Sequence, residues 1–310
     1  MDMNIGKLFP TFNSLRSYLA TTLLFLTLGT LGQSPLQDSI RKIAREAEGT
    51  VGAAYKLAGD PYYEGINTTT HLPMQSVFKF HLALYFLDKV DDHQFTADQP
   101  IRIDPQDWQP KMWSPLHDQY KTPPPSLPLH QLLAAIIMNS DNVACDILFR
   151  AAGGPQRVQA YIKGLGINDI SIAATEAEMH ASWPVQYTNW TTPAAMLTLL
   201  EKFDAGKILS TQSTQLLLNW MSASPRITGR IKGLLPTGTP VAHKPGTSDT
   251  SPEGITAATN DVGIITLPNK KHLLIAVFVA DAKATGTTRE WVIARISQLV
   301  FQTFLNPAPY

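Results

Sequence analysis

What most limits the fold of this chain is where its strand-forming sequence lies. Three apolar, β-prone runs, 239–247, 257–266 and 272–281, crowd the C-terminal end, with the turn "PNKK" at 268–271 between the last two. The other strand-like stretch is near the opposite end, where "TVGAAYKLAGDPYYEGIN" reads as two short strands punctuated by Gly59-Asp60-Pro61. Helical spacing dominates in between, over 76–91, 128–139, 141–152, 155–164, 192–205 and 210–222, with a long irregular stretch at 167–191. Further helices are expected at 34–49, with Ile40, Ile43 and Ala44 as its apolar stripe, and at 287–305. Strands need partners, so the two ends must meet in one sheet and the helical middle must be an insertion. The expectation is an α/β fold, α+β in layout. A sheet domain of residues 33–70 and 224–310 would carry an all-α domain of residues 71–223. A ligand cleft belongs between two such units.

Residues 1–32 read as a secretory signal. Lys7 and Arg16 precede the run "YLATTLLFLTLGTLG", which is short of the ~20 residues a span needs and ends in small residues. The competing reading is an uncleaved anchor. With cleavage near Gln33, the chain is expected to be exported to the periplasm and free of the membrane. Its one cysteine, Cys145, allows no internal disulfide and sits in "DNVACDIL" as a small buried hydrophobe would. Lys+Arg and Asp+Glu both count 25, with no basic run, which argues against a nucleic-acid partner and for a small molecule. The eight histidines form no H-x-H or H-E-x-x-H pattern, so no metal and no cofactor is expected.

Three short motifs carry chemistry. In "QSVFK", Ser76 and Lys79 are three apart at a helix start and face the same way. A serine hydroxyl becomes a nucleophile when a base takes its proton, and a buried lysine can serve. The helix N-terminus adds N–H groups suited to an oxyanion. "SDN", Ser140–Asp141–Asn142, sets hydroxyl, carboxylate and amide at a turn. "KPG", Lys244–Pro245–Gly246, followed by Thr247 and Ser248, closes a strand. Each alone also reads as a capped helix, a helix N-cap or a strand end with a solvated lysine. Pro245 is odd in any strand, because proline cannot donate to a ladder.

In order, with separations of 64 and 104 residues, the motifs resemble the S-x-x-K, S-D-N and K-T-G set of the serine β-lactamases and penicillin-binding proteins. The likeness covers the whole mature chain and looks closest to class A, in its extended-spectrum and Bacteroidota-type branch. It implies a β-lactamase/transpeptidase-like fold and a monomer acting on a small-molecule β-lactam. Residue by residue it implies Ser76 as acylated nucleophile and Lys79 as its partner and possible base. Ser140 would be the proton shuttle to the departing nitrogen, Asn142 would bind the substrate's side-chain amide, and Lys244 would support Ser140 and the substrate carboxylate. Arg230, 14 residues before Lys244, matches an arginine that pairs with that carboxylate. Trp113 matches an aromatic at the cleft rim, or is a plug in a Pro-rich loop. The Thr247 and Ser76 N–H groups would form the oxyanion hole, and Thr247 with Ser248 lean toward cephalosporins. Pro245 stands where the family has a hydroxyl that binds the carboxylate. The missing N–H is expected to face the cleft, because Thr247, two residues on, faces it too.

Hydrolysis requires a water-holding base, which a D-Ala-D-Ala peptidase or a β-lactam sensor would lack. "TEAEMHASWPVQYTNW" lies where class A places its omega loop, here 174–190, and Glu176 resembles the deacylation base. Glu178 competes, but only Glu176 has a partner at i+4, His180, and fits the motif register. His180 replaces an amide that helps position the water; an imidazole titrates near neutrality, so deacylation is expected to fall below about pH 6. The Arg–Asp pair that usually closes the loop is replaced by Ala174 and Asn189. With the usual anchor missing, a differently folded loop and a wider cleft are expected.

Overall fold

The computed structural model describes residues 34–108, 111–225 and 227–305, so the expected signal segment lies outside the described residues. Helix α1 (Pro35–Ala44) starts under Ser34, whose hydroxyl accepts from the Gln37 N–H, and proline takes a first-turn position that needs no N–H. It is shorter than expected, because a 3₁₀ turn over Arg45–Ala47 and the left-handed Glu48 redirect the chain into β1 (Thr50–Leu57). β2 (Glu64–Ile66) follows the Gly-Asp-Pro turn. The middle holds α2 (Phe78–Asp91), α3 (Leu129–Met138), α4 (Asn142–Ala152), α5 (Pro155–Gly164), α6 (Glu176–Ala181), α7 (Pro193–Asp204) and α8 (Thr211–Ser222). β3 (Val241–Thr247), β4 (Thr256–Thr266), β5 (His272–Ala282) and α9 (Gly286–Leu305) complete the chain.

These five strands form one antiparallel sheet in the order β2-β1-β5-β4-β3. The ends do meet: Thr50 pairs with Ala280 and Leu57 with Leu273. β4 and β5 are buried on both faces, which is why their sequences run apolar without alternation. On one face Ile40 and Ile43 of α1 and Val292, Ile296 and Val300 of α9 pack on Tyr55, Ile275 and Val277. On the other, Ala54, Leu274, Ala276 and Phe278 join a core that runs on through α2, α3, α4 and α7. α2 is buried all round from Phe78 to Leu87, as a central helix must be, and so carries Lys79 and His81 into the interior. Among the described residues no helix is long and apolar enough to cross a membrane.

β3 is an edge strand, and its register settles the proline question. The Ser248 N–H donates to the Ala258 carbonyl, and the Thr266 N–H to the Pro240 carbonyl. Even-numbered residues therefore pair with β4, while the N–H positions of 243, 245 and 247 turn to the free edge. Pro245 removes no ladder bond.

Candidate active site

The chain enters Ser76 through Gln75, a buried residue held at a φ of 47°. Ser76 lies in a 3₁₀ turn, Gln75–Val77, that runs into α2. One turn on, Lys79 is completely buried. Its Nζ lies 3.0 Å from Ser76 Oγ, 2.9 Å from the Ser140 carbonyl, 2.5 Å from Asn142 Oδ1 and 2.7 Å from Glu176 Oε1. An ammonium has three protons for these four acceptors, so a proton can move among them with little rearrangement. β3 approaches Ser76 closely. A Cβ on Gly246 would lie 2.5 Å from the Met74 carbonyl oxygen and 3.2 Å from the Ser76 nitrogen, so only glycine fits.

The S-D-N turn divides its labour. Ser140, at a φ of 56°, receives Lys244 Nζ on its hydroxyl at 3.0 Å. Asp141 is the cap: it accepts from the Ala144 N–H that starts α4, and from Ser114 Oγ and the Leu116 N–H. Asn142 lines the cleft. Burial, then the like charge of Lys79, hold the Lys244 ammonium well below the usual lysine pKa, against the pull of Glu176 and Asp261. A lysine so tuned gives up a proton more readily than a solvated one.

Glu176 opens α6, a helix inside the stretch expected to be irregular. Its carboxylate is buried, 3.5 Å from Ser76 Oγ as well as beside Lys79. The competing Glu178 is spent elsewhere: with Thr175 it forms a capping box, accepting from the Thr175 N–H at 2.8 Å. The loop that lacks the usual anchor is held by Asn189. Asn189 is completely buried, and its amide oxygen accepts from the Ala173 and Ala174 N–H groups at 2.7 and 2.9 Å. Its amide nitrogen donates to the Ala174 carbonyl. A neutral carboxamide and backbone stand in for the missing Arg–Asp pair. His180 is exposed on the wall of the same cleft, and among the described residues its ring makes no hydrogen bond.

Two devices were not anticipated from sequence. Asp146 of α4 accepts from the Glu176 and Ala177 N–H groups at 2.8 and 2.9 Å and so docks the start of α6. Gln75 Nε2 donates to Gln186 Oε1 at 2.8 Å, both residues buried, which ties the turn of Ser76 to the loop.

Arg230 is buried against β3. It is 2% exposed, and its guanidinium donates to the Gly246 and Asn260 carbonyls, to Thr247 Oγ1 at 2.8 Å, and to Glu290. Nη2 also lies 3.2 Å from Glu290 Oε1 as an ion pair. These contacts clamp β3. Thr247 is exposed at the cleft, with its N–H on the free edge. Ser248 lines the cleft, but its hydroxyl closes on the Asp249 carbonyl and accepts from the Ala258 N–H. Trp113 stands at the rim, half exposed, with its indole N–H on the Asn139 carbonyl. Cys145 is buried, with its thiol pKa raised by burial.

A sheet sandwiched by helices, with a helix-start serine between buried lysines and a buried carboxylate, has the layout of a serine acyl-transfer hydrolase. The chain belongs to the beta-lactamase enzyme family, which residues 35–304 match. It is 42% identical to the extended-spectrum beta-lactamase PER-1 of Pseudomonas aeruginosa, over 91% of this chain and 93% of that one. It is 35% identical to a beta-lactamase of Bacteroides uniformis, over 92% and 97%. Among solved structures, the TLA-1 extended-spectrum beta-lactamase superposes with a TM-score of 0.86 at 46% identity, covering 88% of this chain and 99% of that chain.

Proposed function

We propose that this chain opens the β-lactam ring of penicillins and cephalosporins through an ester on Ser76, and that a water activated by Glu176 releases it. The observation that carries the reading is the buried Glu176 carboxylate 3.5 Å from Ser76 Oγ and 2.7 Å from Lys79 Nζ. Ser76 Oγ attacks the lactam carbonyl carbon as its proton passes to the Lys79–Glu176 pair. The Ser76 and Thr247 N–H groups hold the oxyanion. As the C–N bond breaks, Ser140 gives its proton to the nitrogen and receives the one released by Ser76 through Lys79 Nζ, 3.5 Å from its hydroxyl, while the Lys244 ammonium stays on the same oxygen at 3.0 Å. Glu176, again ionised, takes a proton from water, whose oxygen attacks the ester carbon, and passes it to Ser76 Oγ as the ester C–O bond breaks.

The cleft on the Glu176 side, about 650 Å³ and walled by Trp113, Met179, His180, Trp183 and Gln186, has room for bulky acyl side chains. That supports the extended spectrum named for the relatives, with cephalosporins among the substrates. The basic, apolar, small-residue order of residues 1–32 supports export to the periplasm.

The test is Glu176→Ala with nitrocefin. A stable acyl-enzyme detected by mass spectrometry is expected, while rapid turnover in that variant sinks the assignment of the base. A wild-type chain that acylates without turnover would instead be a penicillin-binding peptidase or a sensor.

A further inference from the structure

Asn260 of β4 is completely buried and stands directly across the ladder from Gly246 of β3. Its carboxamide crosses to the chain that leads into Ser76. Nδ2 donates to the Pro73 carbonyl at 2.8 Å and to the Met74 carbonyl at 3.1 Å, and Oδ1 accepts from the Val279 N–H of β5 at 3.3 Å. Both amide protons are thereby used on two consecutive carbonyls. Gly246 keeps open the space they need, since a Cβ there would lie 2.5 Å from the Met74 carbonyl oxygen.

The residue after Met74 is Gln75, whose φ of 47° persists only where the surroundings impose it. That conformation aims the Ser76 N–H. From the loop of Glu176, the Asn189 carbonyl holds the Met74 N–H and Gln186 holds the Gln75 side chain. Asn260 is the sheet's hold on the same segment. Its main chain reaches the other donor. The Asn260 carbonyl accepts from Arg230 Nη1 at 2.8 Å, and the same nitrogen donates to the Gly246 carbonyl at 2.9 Å. That carbonyl shares one peptide plane with the Thr247 N–H, so fixing it aims the N–H.

We propose that Asn260 is a positioning residue for acylation, its side chain setting the Ser76 N–H and its carbonyl, through Arg230, the Thr247 N–H. One residue thus fixes the gap between the two donors that hold the oxyanion, which stabilise it only if they are in place before the charge develops. The proposal rests on the assignment of those two N–H groups above.

The experiment compares the native chain with Asn260→Ala and Asn260→Ser, each checked for fold by circular dichroism. Both keep the main-chain bond to Arg230, so only the Ser76 side of the hole is released. The probe is phenylboronic acid. Ser76 Oγ adds to its boron, the hydroxyl proton passes to the Lys79–Glu176 pair, and a boronate oxygen takes the place of the oxyanion. Its Kd is expected to rise by about tenfold or more, short of the ~10²–10³ in rate that outright loss of a donor costs. Acylation by a cephalosporin, followed by rapid-quench mass spectrometry, should slow by a similar factor. The ester carbonyl stretch of the acyl-enzyme should move to higher wavenumber as the donor retreats. A residue that serves stability alone would lower Tm and leave these readings native. Native boronate affinity and carbonyl stretch in the folded variants overturn the proposal, and so does failure of both variants to fold, which would make Asn260 a residue of the fold alone. Boronate binding and acylation need no turnover, so a chain that acylates without releasing its product counts against the hydrolase reading and leaves this test standing.

Discussion

The carboxamide of Asn189 closes on the backbone of Ala174 from both sides, accepting from its N–H at 2.9 Å and donating to its carbonyl at 2.8 Å. This contact joins the two ends of the loop that carries Glu176, with no charge involved. Asn189→Ala would leave buried N–H and carbonyl groups unpaired, at about 1–3 kcal/mol each. Thermal denaturation should show a clearly lowered Tm, and single-turnover kinetics a slower deacylation than acylation. A variant with native Tm and rates would show that the loop is held elsewhere.

Gly246→Ala tests how closely β3 must approach the nucleophile. Its Cβ would meet the Met74 carbonyl oxygen at 2.5 Å, a backbone atom that cannot swing aside. The strand must shift, and the Thr247 N–H shifts with it. Losing one oxyanion donor costs ~10²–10³ in rate, so acylation should fall by that order while circular dichroism stays native.

Burial of His81 predicts acid sensitivity of the fold. It is completely buried in α2, neither ring nitrogen completes a hydrogen bond, and burial pushes its pKa down to about 4, only partly offset by the Val77 and Phe78 backbone. The unfolded chain therefore takes up this proton first. The stability tied to the neutral ring is complete above about pH 6.5 and is lost as pH falls through about 4, to the extent of roughly 3 kcal/mol. His81→Leu should flatten the acid limb of a urea-unfolding series between pH 7 and 4. An unchanged slope would place the acid sensitivity in other groups.

Asp146 works in the opposite sense. Burial, then the Glu176 charge, raise its carboxyl pKa to about 7. The folded chain therefore keeps this proton longer than the unfolded one. The contribution is complete below about pH 4 and is lost as pH rises through about 7. Asp146→Asn should remove that part of the pH slope. It also loses one of the two acceptors that dock α6, so deacylation should slow by about tenfold, a hydrogen bond's worth. Unfolding free energies at pH 5 and 8, read beside single-turnover rates, separate the two effects.

The sequence placed the sheet well because long apolar runs and 3.6-residue spacing are local signals: β3 and β4 start within two residues of expectation and α5 matches its range. It missed α6 because six residues carry too little periodicity, although Thr175-x-x-Glu178 is a capping-box pattern that could have flagged it. The motifs named the residues that meet around Lys79, since their chemistry is tied to type and order. What each donor does with its hydrogen bonds was not legible. Arg230 and Ser248 looked available, and only three-dimensional packing commits one to Glu290 and two carbonyls and the other to Ala258. Asp146 gave no signal, because its partners are 30 and 31 residues away.

The proline on the free edge of β3 also bears on self-association. An exposed edge strand is a template on which another extended chain can build a ladder, and proteins guard against this with proline or charge. Pro245 interrupts the outward row of N–H groups midway between His243 and Thr247. An incoming strand would meet a gap in that row, while a compact ligand that needs the Thr247 N–H alone meets none. A second extended chain therefore could not continue a ladder past position 245.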